Sequence, residues 1–164
     1  MTTEREFASA QEAANDSRIL VFGRLLGAAN RLEYILGHSL EKNAGLSHSV
    51  FELLLLVGRA GPGGIAARDI AQARVLTSGG ATRLVNRAAE QGLITRRTSD
   101  EDARVQLIEL TEHGEEVLLD ASALHARNIQ QYLLDVLPAD EAEVFAQTIR
   151  TLSKSAAQAL PLMP

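Results

Sequence analysis

Arg83, Asn86 and Arg87 stand three and four positions apart, the spacing that puts side chains on one face of a helix. Arg and Asn are the residues that pair bidentately with guanine and adenine edges in the major groove of duplex DNA. The helix carrying them starts after Leu76, where Thr77 can cap free amides, and runs over 78–91 until Gly92 supplies a left-handed stop. Ala81, Leu84, Val85 and Ala88 form its apolar stripe, while Ser78, Gly79, Thr82, Arg83, Asn86 and Arg87 fall on the other side. One side docks and the other is free to read. Gly79 and Gly80 each sacrifice about 1 kcal/mol of helix propensity relative to Ala, and a close approach of backbone to phosphate at the helix start would explain them. An ordinary solvated helix face would carry the same residues; the elements around this helix favour DNA.

Those elements follow from the neighbouring pattern. A helix near 67–73 with Ile70 and Ala71, then Arg74-Val75-Leu76 as a turn, gives helix-turn-helix spacing. After Gly92, the runs 93–98 and 105–110 are rich in β-branched residues and are separated by a polar stretch, 99–104, so they predict a hairpin or wing. Its register stays open, because Leu107 and Ile108 are both apolar and the alternation does not choose a buried face. Arg96 and Arg97 are either solvent-facing strand charges or phosphate contacts.

The strings Leu76-Thr77-Ser78-Gly79-Gly80-Ala81-Thr82-Arg83-Leu84-Val85, Gly92-Leu93-Ile94-Thr95-Arg96, Asp102-Ala103-Arg104 and Ile108-Glu109-Leu110-Thr111-Glu112-His113-Gly114 come in that order and spacing. Together they resemble the multiple-antibiotic-resistance regulator (MarR) family of winged helix-turn-helix repressors, over nearly the whole chain from about Ser17. The resemblance implies a recognition helix at 77–91, a wing arginine at Arg104 held near Asp102, and a long dimerisation helix after Thr111. Ala88-Ala89 departs from the family pattern, which places a larger apolar residue and then an acid there. The DNA-contact candidates are Thr77, Ser78, Gly80, Thr82, Arg83, Asn86, Arg87, Arg96, Asp102 and Arg104. The expected fold is mainly α with a small β-hairpin wing: a winged helix-turn-helix domain at 46–111, a helical dimerisation region at 17–45 and 112–164, and a polar tail at 1–16.

Net charge first argues against nucleic acid, since the 164-residue chain carries −5. Its distribution reverses that impression: residues 68–104 hold seven arginines against five acids, a local +2 beside −7 for the rest. An acidic body would orient the basic edge toward DNA, and so modest a patch predicts that two copies share the binding. With no cysteine, a disulfide framework, a thiolate metal site and a cysteine oxidant sensor are all excluded. No apolar run approaches the ~20 residues that span a bilayer, so a soluble cytoplasmic protein without membrane contact is expected. The chain holds no Gly-x-Ser-x-Gly elbow, His-Glu-x-x-His helix or nucleotide fingerprint, which argues against an enzyme. The glycine-rich stretch 58–64 lacks the Gly-Lys-Ser/Thr ending of a phosphate loop, and a turn into a short strand at Ile65 explains it.

Two helical stripes run along 16–40, one with Ile19, Phe22, Leu26, Leu32, Leu36 and Leu40, the other with Val21, Leu25, Ala28 and Ile35. Two apolar faces need two partners. Helices over 112–137 and 139–160, separated at Pro138, add further stripes, so an interchain bundle and a homodimer are expected, with enclosure of a monomeric core as the alternative. The resemblance favours the dimer and implies a repressor on a promoter inverted repeat, with a small aromatic or anionic effector. Arg31, Tyr34, His38 and His48 combine charge, aromatic surface and hydrogen-bonding capacity near the first helix pair and are the lining candidates. No cofactor or metal is assigned: the four histidines, including His113 and His125, contain no i, i+4 pair on one helix. A zinc-responsive regulator and a winged-helix module that binds protein instead of DNA are the alternatives.

Overall fold

A computed structural model describes residues 6–159, so 1–5 of the expected tail and 160–164 of the expected dimerisation region, Leu160 included, lie outside the described residues. In chain order the elements are α1 (Ala10–Ala14), α2 (Ser17–Ala44), α3 (His48–Ala60), a 3-10 turn (Gly61–Gly63), β1 (Ile65–Ala66), α4 (Ala67–Ala73), α5 (Ser78–Glu90), β2 (Ile94–Thr98), β3 (Gln106–Leu110), α6 (Glu112–Ile129), a π-helical turn (Gln130–Leu134) and α7 (Ala142–Ala159). No helix among the described residues is long and apolar enough to cross a membrane. The chain divides into two compact units, Met1–Ile35 and Leu36–Pro164.

Local capping organises the first unit. Ser9 caps α1, a short helix inside the expected polar tail, by accepting from the Glu12 amide. Asp16 then accepts from the backbone amides of Arg18 at 2.9 Å and Ile19 at 3.4 Å, which starts α2. The Arg18 guanidinium donates to the same carboxylate and holds its pKa down at about 2. The apolar residues Ile19, Val21, Phe22, Leu25 and Leu26 of α2 are exposed.

The second unit is built around one core. Leu36 and Leu40 from the last turns of α2 are buried, as are Leu46, Val50, Phe51, Leu53, Leu54 and Val57 around and within α3. Ile70 of α4, the inner face of α5, Ile94 and Ile108 of the sheet and Ala121 of α6 complete it. The sheet has the order β1-β3-β2, all antiparallel. Arg96 pairs with Ile108 and Arg97 with Leu107, which settles the register the sequence left open, because Ile108 is the buried partner. The last two helices are shorter than their stripes predict. α6 ends at Ile129 in the π-helical turn, where the Asp135 amide donates to the Gln130 carbonyl at 2.8 Å, and α7 begins only at Ala142, beyond Pro138.

Candidate nucleic-acid interface

Hydrogen bonds at each end define α5. At its start the Thr77 hydroxyl accepts from the Gly80 amide at 3.1 Å, and Thr82 donates its hydroxyl proton to the Ser78 carbonyl at 2.9 Å. At its end Gly92 takes a φ of 71°, and the Leu93 amide donates to the Ala88 carbonyl at 3.0 Å. Ala81, Leu84, Val85 and Ala88 are buried, leaving Thr77, Ser78, Gly79, Thr82, Arg83, Asn86 and Arg87 exposed. The two glycines differ. A Cβ on Gly80 would lie 3.3 Å from the Thr77 hydroxyl and 3.6 Å from Leu76 Cβ, so its smallness serves the helix's own turn instead of a phosphate approach. A Cβ on Gly79 would meet only the Arg83 guanidinium, at 3.9 Å, so Gly79 is the one on the open surface.

The turn before α5 is anchored from within the lobe. Arg74, the C-cap of α4, forms an ion pair with Glu52 of α3, and both side chains are largely covered. Val75 follows with a φ of 52°, the left-handed region that suits glycine and strains a β-branched side chain. The sequence counted Arg74 in the basic patch; its pairing with Glu52 makes it structural.

In the wing, opposite residues of paired strands share a sheet face. Arg96 therefore lies on the face of Ile94 and Ile108, which packs toward α5, and its guanidinium donates to the Asn86 side-chain oxygen. Arg97 lies on the other face, donating to Glu109 at 2.6 Å and reaching Asp100 at 3.6 Å. At the tip Asp102 accepts from the Arg104 amide at 3.0 Å and from its guanidinium at 3.1 and 3.2 Å. These bonds hold the Asp102 carboxyl below its usual range. Arg104 itself stays 90% exposed, a charge aimed by its neighbour but not covered by it. Arg83 and Arg87 alone among the arginines of 68–104 make no hydrogen bond or ion pair with other described residues.

The proposed effector residues fall in both units. Arg31 and Tyr34 belong to the first, where the Arg31 guanidinium folds back over Gly27. His38 and His48 belong to the second, in which His48 lies 5.7 Å, ring centre to ring centre, from His125 of α6. His125 also packs on Phe51 at 4.8 Å, and its Nδ1 is buried without a hydrogen-bond partner. Burial, and next the neighbouring His48, push the His125 pKa down against a smaller opposing pull from Glu52. This pairing across α3 and α6 escaped the sequence reading because the two histidines are far apart in the chain. Among the described residues no cluster of three or more His, Cys, Asp or Glu is placed to hold a metal ion.

A helix-turn-helix whose second helix shows a polar, arginine-bearing face, flanked by a two-stranded wing, defines a winged helix-turn-helix protein. Residues 44–105 match the model of the MarR family. Among curated proteins the chain is similar to the uncharacterized HTH-type transcriptional regulator YdgJ of Bacillus subtilis, 28% identical over 102 residues, and the match spans 62% of this chain but only 61% of that protein. Among solved structures it is similar to Sco3205, a MarR family transcriptional regulator from Streptomyces coelicolor in complex with DNA, with a TM-score of 0.76, 24% identity and coverage of 93% of this chain and 92% of that one. It is also similar to CouR from Rhodococcus jostii RHA1 bound to p-coumaroyl-CoA, with a TM-score of 0.69, 24% identity and coverage of 94% and 100%. The match to the MarR family model is confined to residues 44–105, the helix-turn-helix and the first half of the wing, and the likeness to the solved MarR regulators is one of fold.

Proposed function

We propose that this chain is a sequence-specific double-stranded DNA-binding transcriptional regulator, a homodimeric repressor acting at a promoter inverted repeat. The observation that carries this reading is the face of α5, where Arg83 and Arg87 are exposed and uncommitted beside a wing whose Arg104 is held outward by Asp102. On this reading α5 enters the major groove, with Thr77, Ser78 and Thr82 near the backbone, and the wing arginine reaches the adjacent minor groove. Sco3205, similar in fold, is described in complex with DNA.

Dimerisation is proposed through the helical regions 17–45 and 112–164. Its support is apolar surface: Val21 is 63% exposed, Phe22 59%, Val144 62% and Leu152 50%, more than a single chain leaves to water without a partner. The effector is proposed to be a small aromatic or anionic molecule that changes the separation of the two DNA-binding lobes, with Arg31, Tyr34, His38 and His48 as its candidate contacts. CouR, bound to p-coumaroyl-CoA, supplies the analogy.

The test is a gel shift and footprint on the intergenic DNA upstream of the gene, paired with light scattering at micromolar concentration. A protected inverted repeat, a mass of two chains and a specific affinity weakened by about 1–3 kcal/mol per lost bidentate contact in Arg83→Ala are expected. No protection on any duplex would leave the winged helix as a protein-binding module, and a mass of one chain would remove the dimer.

A further inference from the structure

We propose that Val75 is a specificity-determining residue whose side chain packs, in the major groove, on the 5-methyl group of a thymine. The inference rests on the DNA-reading function proposed above. Among the described residues with a positive φ, Gly45, Gly61, Gly64 and Gly92 are glycines, and Val75, at 52°, is the exception. The left-handed region brings Cβ against the following carbonyl oxygen, so valine destabilises this position relative to glycine. Strain of this kind is held where a side chain has a use that outweighs it.

The backbone around Val75 does not call for a valine. α4 ends in a Schellman turn, in which the Val75 amide donates to the Gln72 carbonyl at 3.2 Å and the Leu76 amide to the Ala71 carbonyl at 2.9 Å. Glycine is the usual residue at the left-handed position of that turn. Packing does not call for a valine either. Leu76 is the residue of this turn that packs on the core of the lobe, whereas Val75 is 54% exposed and has no place in that core. The side chain is strained and turned to solvent, and its apolar surface is open to a partner.

The surroundings fit DNA as that partner. Val75 stands two residues before Thr77, the cap of α5, so its Cα lies within about 7.6 Å of the start of that helix. Residues 70–89 contain no Asp or Glu, and the exposed neighbours Gln72, Ala73, Thr77, Ser78 and Gly79 are uncharged, so this edge carries no charge that repels a phosphate. The N-terminal residues of a recognition helix are those that reach base edges. Of the groups that bases present in the major groove, the thymine methyl is the apolar one, and an aliphatic side chain recognises it by contact. Val75 thereby adds an apolar readout beside the polar one of Arg83 and Asn86.

The experiment is selection from a pool of randomised duplexes by the full-length wild type and Val75→Gly, followed by affinity measurement on the selected site with each thymine in turn replaced by uracil, which lacks only the 5-methyl. One thymine should lose its preference in the Val75→Gly set. Uracil at that position should weaken the wild type about fourfold, the effect of exposing one methyl, and should leave Val75→Gly unchanged. Because glycine also loosens the turn, Val75→Asn, which accepts the left-handed region but presents a polar group, should show the same indifference to uracil. The thymine-to-uracil ratio within each protein cancels any uniform loss from a displaced α5. A wild type whose selected site has no uracil-sensitive thymine overturns the proposal, as does a uracil penalty that persists in either variant. A wild-type chain that enriches no sequence refutes DNA reading itself, which separates the two failures.

Discussion

Gly114, in the first turn of α6, sets two elementary effects against each other. A Cβ built there would lie 1.9 Å from the Leu93 carbonyl oxygen and 2.8 Å from its carbonyl carbon, where an ordinary carbon–oxygen contact is about 3.3–3.6 Å. Gly114→Ala must therefore drive the start of the wing and the start of α6 apart by about 1.4 Å. Three hydrogen bonds meet at this junction: the Thr111 amide to the Leu93 carbonyl at 3.1 Å, the Thr111 hydroxyl to the Gly92 carbonyl at 2.6 Å, and the Gly114 amide to the Thr111 hydroxyl at 2.9 Å. Overpacking costs about 1–3 kcal/mol, and loss of one backbone bond and the cap adds about 1 kcal/mol each. Alanine returns about 1 kcal/mol of helix propensity. The net is a destabilisation of about 2–4 kcal/mol, or a Tm lowered by about 4–16 °C for a chain of this length. Thermal unfolding followed by circular dichroism measures it. An unchanged or raised Tm would mean that propensity governs and that the close approach of α6 to Leu93 is absent in solution.

Asp102→Ala is expected to weaken specific DNA binding although it removes a negative charge that would face the phosphates, because Arg104 loses the bonds that aim it; equal tightening on specific and random duplexes would refute the orienting role. Val75→Gly should raise stability by about 0.5–1 kcal/mol, since relief of a left-handed β-branched residue outweighs the extra entropy of unfolded glycine, and a lower midpoint in urea would contradict this. His125 has a lowered pKa, so below about 6.5 the unfolded chain takes up a proton that the folded chain does not. Stability should fall as pH drops through that value and level off below the folded pKa, and His125→Phe should remove this part of the slope. A slope identical in wild type and variant, measured by urea unfolding from pH 7.5 to 5, would place the titration elsewhere.

What the sequence made legible was local. Thr77 and Gly92 act within one turn of their own positions, and caps and left-handed stops follow from residue type alone. The apolar stripe of α5 was equally readable, because Ala81, Leu84, Val85 and Ala88 keep helical spacing without interruption. Partners that depend on packing were not. Whether Arg96 or Arg97 turns toward α5 depends on a strand register that two adjacent apolar residues, Leu107 and Ile108, leave undetermined. The capture of Arg74 by Glu52 and the approach of His48 to His125 are contacts between elements, with no signal at sequence spacing. The roles of Gly79 and Gly80 were open for a similar reason, since only the backbone path shows which one faces its own turn.

The π-helical turn at Gln130–Leu134 marks where the lobe lets go of the chain. Up to it, Val117, Leu118, Ala121 and Leu124 of α6 pack on the core. The wider ring, closed by the Asp135 amide on the Gln130 carbonyl at 2.8 Å, then ends the helix, and no α-helical residue follows before Ala142. Val136, in the turn beyond, stands 69% exposed. The stripe that anchors α6 thus stops with the helix, and the described residues after it are tethered to the lobe through the backbone and not through its core.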